Sequence, residues 1–104
     1  MVYFSPGCAM ARGAKLDARQ VALINKALAD PKRFEMLQRI AAATEAPTCS
    51  CVRDWLGLAP ATVSHHLREL EAAGLVSIQR DGKFAHIALR RDVWNTYLKR
   101  LSDL

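Results

Sequence analysis

The stretch Leu58–Val76, LAPATVSHHLRELEAAGLV, decides how this chain folds. Pro60 suits the first position of a helix, where its missing N–H is no loss. Val63, Leu67 and Leu70 then recur at i, i+4 and i+7 and make one apolar stripe. At about 100° per residue, Ala61, His65, Arg68 and Ala72 fall on the opposite side. The outward N-terminal half of this helix is therefore small, polar or basic: Ala61, Thr62, Ser64, His65 and Arg68. Gly74 supplies a stop, and Leu75-Val76 begins something extended.

An ordinary amphipathic helix with a solvated outer face has the same periodicity, so the flanks must decide. Trp55-Leu56-Gly57-Leu58 reads as the end of one helix and a turn containing glycine, as a helix-turn-helix requires. Downstream, Val76–Arg80 and Phe84–Leu89 are short strand-like runs, and Asp81-Gly82 between them is a two-residue hairpin signal. Arg80 and Lys83 flank that tip. A basic hairpin beside a helix with a small, polar outer face suits phosphate contact or entry into the minor groove. The helix itself suits a DNA major groove about 12 Å wide.

The segments LGLAPATVSHHLRELEAAGLV, RDGKFAHIAL and ALADPKRFEMLQRIA are similar to the ArsR/SmtB family of bacterial winged-helix repressors. The resemblance runs over roughly Leu16 to Leu104. It implies a mainly α fold with a small β-hairpin, a dimeric winged helix-turn-helix of order ααααββα. It further implies a homodimer that binds double-stranded DNA at an imperfect palindrome in a promoter. Thr62, Ser64 and His65 would approach base edges, with Ala61 small beside them. Arg68, Arg80 and Lys83 would neutralise phosphates around Gly82. Ala59 departs from the family, which usually has a serine or similar cap there; that loses ~1 kcal/mol of capping.

At 104 residues the chain is one domain. Its net charge of +5 agrees with a nucleic-acid partner. No apolar run nears ~20 residues, so no membrane span is expected. The N-terminus does not read as a signal peptide, and three cysteines are an odd number. A bacterial cytoplasm is the expected location.

Residues 1–15 read as a mobile N-terminal arm, and residues 16–104 as the DNA-binding domain with terminal dimerisation helices. Asp17–Leu28 is expected as a first helix with Val21, Ile24 and Leu28 on one face. Asp30-Pro31 starts a second, striped by Phe34, Leu37, Ile40 and Ala41 and ending near Ala43. A third runs from about Ser50 to Leu56, packed through Val52, Trp55 and Leu56. Asp92 is expected to cap a last helix, Val93–Leu101. In the resembled family the first and last helices form the dimer interface, which here selects Ile24, Leu28, Trp94, Tyr97, Leu98 and Leu101.

Cys8, Cys49 and Cys51 are the only cysteines. Members of the resembled family that sense thiophilic ions often carry a Cys-x-Cys pair at the start of the third helix, sometimes joined by cysteines of the arm. The resemblance thus offers As(III), Sb(III) or a soft divalent ion as an inducer. Counting back from Ser64, the pair here lies one residue closer to the recognition helix than the family's. The alternatives are a response to thiol oxidation and cysteines with no sensing role, since Cys49 lies near the apolar stripe. The family's other metal site needs a histidine on the last helix, and none stands there. His66 is expected to pack and His65 to face outward. A winged-helix module for protein partners is the competing function; clustered Arg68, Arg80 and Lys83 favour DNA. Nothing pairs a nucleophile with a base, so no enzyme is expected.

Overall fold

Asp17, Asp30 and Thr48 each turn extended backbone into helix by accepting hydrogen bonds from N–H groups of the first turn. In the computed structural model, which describes residues 15–104, five helices and two strands follow in order. They are α1 (Ala18–Leu28), α2 (Pro31–Ala42), α3 (Cys49–Leu56), α4 (Pro60–Ala72), β1 (Val76–Asp81), β2 (Phe84–Leu89) and α5 (Arg91–Ser102). This is the expected ααααββα order of a winged helix-turn-helix. The arm read over residues 1–15 lies outside the described residues except for Lys15. No described helix is long and apolar enough to cross a membrane.

The core is one cluster: Ile24 of α1, Met36 and Leu37 of α2, Val52 of α3, Val63 and Leu70 of α4, and Leu75 and Ile87 beyond. The stripe read for α4 is borne out, since Val63, Leu67 and Leu70 are all buried. The stripe of α2 needs correction. Phe34 is 39% exposed, whereas Arg33 and Met36 are buried beside Leu37 and Ile40. The buried face is rotated toward Arg33, because that guanidinium has partners inside the fold.

The turns are built by two glycines. Gly57 (φ 64°) ends α3, its N–H bonded to the Arg53 carbonyl at 2.8 Å. Gly74 (φ 80°) ends α4 in a Schellman motif: Gly74 N–H to Glu71 O at 2.9 Å and Leu75 N–H to Leu70 O at 3.0 Å. Leu70 and Leu75, the apolar pair of that motif, are both fully buried.

The strands pair antiparallel with Ile78 opposite Ile87 and Asp81 opposite Phe84. The tip is therefore Gly82-Lys83, one residue beyond the expected Asp81-Gly82, and Lys83 stands in the turn rather than beside it. Gly82 has φ 62°, while no non-glycine residue among those described has positive φ. That sign pattern belongs to a type II′ turn, which wants glycine first, and its twist matches the strands. A short bridge between Thr48 and His86, with Ile87 N–H donating to Pro47 O at 2.9 Å, pins the base of the hairpin to the start of α3.

Two further boundaries are corrected. α3 begins at Cys49 rather than Ser50, because Thr48 caps it. α5 begins at Arg91 after Arg90, and Asp92 is not its cap. The Asp92 carboxylate instead lies buried in the first turn, accepting from the Arg90 guanidinium at 2.7 Å and 3.1 Å.

Candidate nucleic-acid interface

α4 owes its two faces to residue spacing alone. Val63, His66, Leu67 and Leu70 turn inward, and Ala61, Thr62, Ser64, His65 and Arg68 are all exposed. No side chain caps α4 at Ala59. The first turn is thus anchored by Pro60 and by Val63 N–H donating to Ala59 O at 3.0 Å. Small Ala61 and Thr62 keep that end slender.

His65 and His66 have ring centroids 5.8 Å apart, tilted by 49°. They serve different surroundings. His66 is buried at 7% exposure, its Nδ1 3.4 Å from Arg33 Nη1. Burial pushes its pKa down; Asp30 pulls it up, and Arg33 pushes it down further, with the net shift downward. Its neutral ring can accept from Arg33. The same guanidinium donates to the carbonyls of Ala27 at 2.8 Å and Lys26 at 3.2 Å. Arg33 therefore closes the C-terminal end of α1 and braces the back of α4 at once. Sequence reading had not singled it out; an arginine three residues after a helix cap is unremarkable without its partners.

In the wing, Arg80, Gly82 and Lys83 are all exposed. Alternation along β1 puts Arg80 on the side of Val76 and Ile78, which faces α4. A cleft of about 170 Å³ consequently opens between α3, α4 and β1. Ser64, Arg68 and Arg80 line it together, over Leu67 and Ile78. Ala61, Thr62, His65, Gly82 and Lys83 do not line it. Cys49, read only as a candidate ion ligand, and Glu71, not read at all, line it too. The 64, 68, 71 spacing along one ridge of α4 could have revealed Glu71. Phe84, 57% exposed beside the wing tip, was also passed over as a strand residue.

The cysteines are separated by the helix they start. Cys49 and Cys51 both lie in regular α3, so their side chains point about 200° apart. Cys49 packs against the core cluster. Cys51 is held by Thr48, whose hydroxyl accepts from Cys51 N–H and donates to Cys51 Sγ, each at 3.3 Å. Those contacts draw the thiol pKa below its usual value. Cys8 lies outside the described residues. Among those described, no three metal-ligating side chains come together.

Of the residues read as a dimer interface, Ile24 is wholly enclosed within the single chain and Tyr97 nearly so, its hydroxyl donating to Asn25. Both belong to the core instead, so they are corrected out of that set. Leu28 and Trp94 are half-buried, and Leu98 and Leu101 exposed.

The helix-turn-helix domain family matches residues 28–79, which span α2, α3, α4 and most of β1. An uncharacterized HTH-type transcriptional regulator of Bacillus subtilis, YceK, is 30% identical over 77 residues, covering 74% of this chain and 77% of its own. The chain belongs to the ArsR-type helix-turn-helix transcriptional regulators. Solved structures of the family share the architecture. An ArsR-like regulator from Rhodococcus superposes with TM-score 0.73 at 24% identity, over 82% of this chain and 78% of that one. The homodimeric winged helix-turn-helix DNA-binding domain Mb0332 of Mycobacterium bovis does so with TM-score 0.67 at 25% identity, over 86% and 90%. Within this ArsR-type regulator, α3 and α4 are the two helices of the motif, α4 is the recognition helix, and β1–β2 is the wing.

Proposed function

We propose that this regulator is a dimeric, sequence-specific repressor that sets two copies of α4 into successive major grooves of an imperfect palindrome. The observation that carries the reading is the exposed face of α4, where Ala61, Thr62, Ser64, His65 and Arg68 stand clear of the core. Thr62, Ser64 and His65 have hydrogen-bonding groups for base edges. Arg68, Arg80 and Lys83 meet phosphates, and Gly82 lets the wing approach closely. The homodimeric Mycobacterium bovis domain supports pairing. Leu98, Leu101 and the half-buried Trp94 and Leu28 are the residues available for it. The site of action is the bacterial cytoplasm.

No inducer is assigned. A chelate of As(III) on Cys49, Cys51 and Cys8 would need the first turn of α3 to unwind, because regular helix directs the first two sulfurs apart.

The test is fluorescence anisotropy on a duplex from the region upstream of the gene, with sedimentation for the dimer. Tight binding that weakens steeply with salt is expected, with a log–log slope of about −0.9 per phosphate neutralised. Affinity indifferent to salt would refute the reading.

A further inference from the structure

Arg68 and Arg80 come from different elements, yet they line one cleft. Neither takes part in any of the four ion pairs among the described residues, and neither guanidinium donates a hydrogen bond there. Both are exposed, whereas the buried and half-buried arginines are spoken for: Arg33 by carbonyls, Arg53 by Ser50, Arg90 by Asp92. Two five-donor forks with no acceptor, lining one hollow, make a receptor for a tetrahedral oxyanion. The hollow, about 170 Å³, has room for a group larger than one water.

We propose that this cleft seats a single phosphodiester of the DNA backbone, gripped from the recognition helix by Arg68 and from the wing by Arg80. The proposal rests on the DNA-binding reading and deepens it, because helix and wing then hold the same phosphate rather than two. Charge favours the diester over free phosphate. With the Glu71 carboxylate on the rim, the lining sums to one positive charge, which matches the single negative charge of a backbone phosphate. A free phosphate, carrying more charge and no deoxyribose to fill the hollow, fits less well. Leu67 and Ile78 form a floor against which the sugar can lie.

Cys49 sits in the wall of the cleft and reports on it. In a variant with Cys8 and Cys51 replaced by serine, Cys49 is the sole thiol, and its reaction with iodoacetamide can be timed. A short duplex shown by anisotropy to be bound is expected to slow that reaction severalfold; an unchanged rate with duplex bound overturns the proposal. Inorganic phosphate at matched ionic strength is expected to leave the rate unchanged. Protection by phosphate equal to that by duplex would make the cleft a free-anion site and overturn it too. Arg68→Gln, Arg80→Gln and the double variant, all at exposed positions, give the second readout. For a shared phosphate the two affinity losses do not multiply. Losses that multiply to within about a factor of two show independent contacts and overturn the clamp. A protein that binds no duplex at any salt refutes the DNA reading itself, which separates that failure from this one.

Discussion

Replacing Arg33 by methionine should destabilise the domain by about 3 kcal/mol, mostly by stranding the end of α1. Methionine keeps the unbranched stem, so little packing is lost. What goes is the guanidinium, 7% exposed, with its bonds to Ala27 O at 2.8 Å and Lys26 O at 3.2 Å and its 3.4 Å contact with His66. The Lys26 carbonyl is half-buried and water can reach it. The bond to the Ala27 carbonyl is buried, and its loss leaves an acceptor unsatisfied at ~1–3 kcal/mol. Loss of the cation at a helix C-terminus adds roughly 0.3–1 kcal/mol, and the long His66 contact supplies the remainder. Against this stands the desolvation of the guanidinium, which methionine recovers. The Ala27 carbonyl decides the sign, because it is buried, whereas the Lys26 carbonyl keeps the Ala29 N–H at 3.2 Å. Urea unfolding at neutral pH measures the difference, and a melting scan should fall by roughly 12–20 °C. A loss under about 1 kcal/mol would show that desolvation cancels the bonds and would refute the argument. The variant also carries a pH signature. His66 has its pKa lowered in the fold, chiefly by burial, so its neutral form is the stabilising one. That contribution is full above the ordinary value of 6.5 and drains away as pH falls below it toward the folded value. Removing Arg33 removes one cause of the lowering, so the acid loss of stability below pH 6.5 should be shallower in the variant than in the wild type.

Ala59→Ser supplies the cap that α4 lacks and should stabilise the domain by ~0.5–2 kcal/mol in urea, with no loss of DNA affinity. Gly74→Ala should destabilise by about 2 kcal/mol: φ is 80°, and the new methyl would collide with Gln20 Nε2, displacing its bond to the Ala73 carbonyl. Leu70→Ala empties a fully buried site and should lose ~2–5 kcal/mol; a smaller loss by calorimetry would mean that the core collapses around it. Thr48→Val removes the hydroxyl that lowers the Cys51 thiol, so the pH midpoint for alkylation of Cys51 should rise; an unmoved midpoint would assign the lowering to the helix start alone.

How far the residues alone reach follows from the range of each interaction. The faces of α4, the stop at Gly74 and the caps at Asp17 and Asp30 depend on neighbours within a turn of helix, and spacing reveals them. The hairpin tip slipped by one residue because Asp-Gly serves a type I′ turn with glycine second. Here Gly82 comes first in a type II′ turn. Either tip keeps Val76, Ile78, Ile87 and Leu89 on one face, but this one sets Ile78 opposite Ile87 and Val76 opposite Leu89, where an Asp81-Gly82 tip would set Ile78 opposite Ala85, so cross-strand packing rather than the dipeptide fixes the register. Phe34 was misplaced for a related reason. Apolar count favours its face of α2, but Arg33 finds acceptors on α1 and α4, elements that no local window contains.

The same logic explains why the candidate interface was read as a set of separate contacts. The exposed positions of α4 and the basic residues of the wing are each visible in the chain order. That Arg80 shares a hollow with Arg68 follows only when the parity of β1 is combined with its packing on α4. Ile78 must point at the helix, so Arg80, two residues on, points the same way and overhangs its outer edge. A slip of one residue in the hairpin would send Ile78 to solvent and Arg80 away from Arg68 together. Stability of the wing and charge convergence at the cleft are therefore one constraint. A substitution that loosens the hairpin without touching either arginine, such as Ile78→Ser, should lower DNA affinity along with stability. Were affinity for a duplex unchanged in folded Ile78→Ser protein, the wing would have no part in holding the backbone.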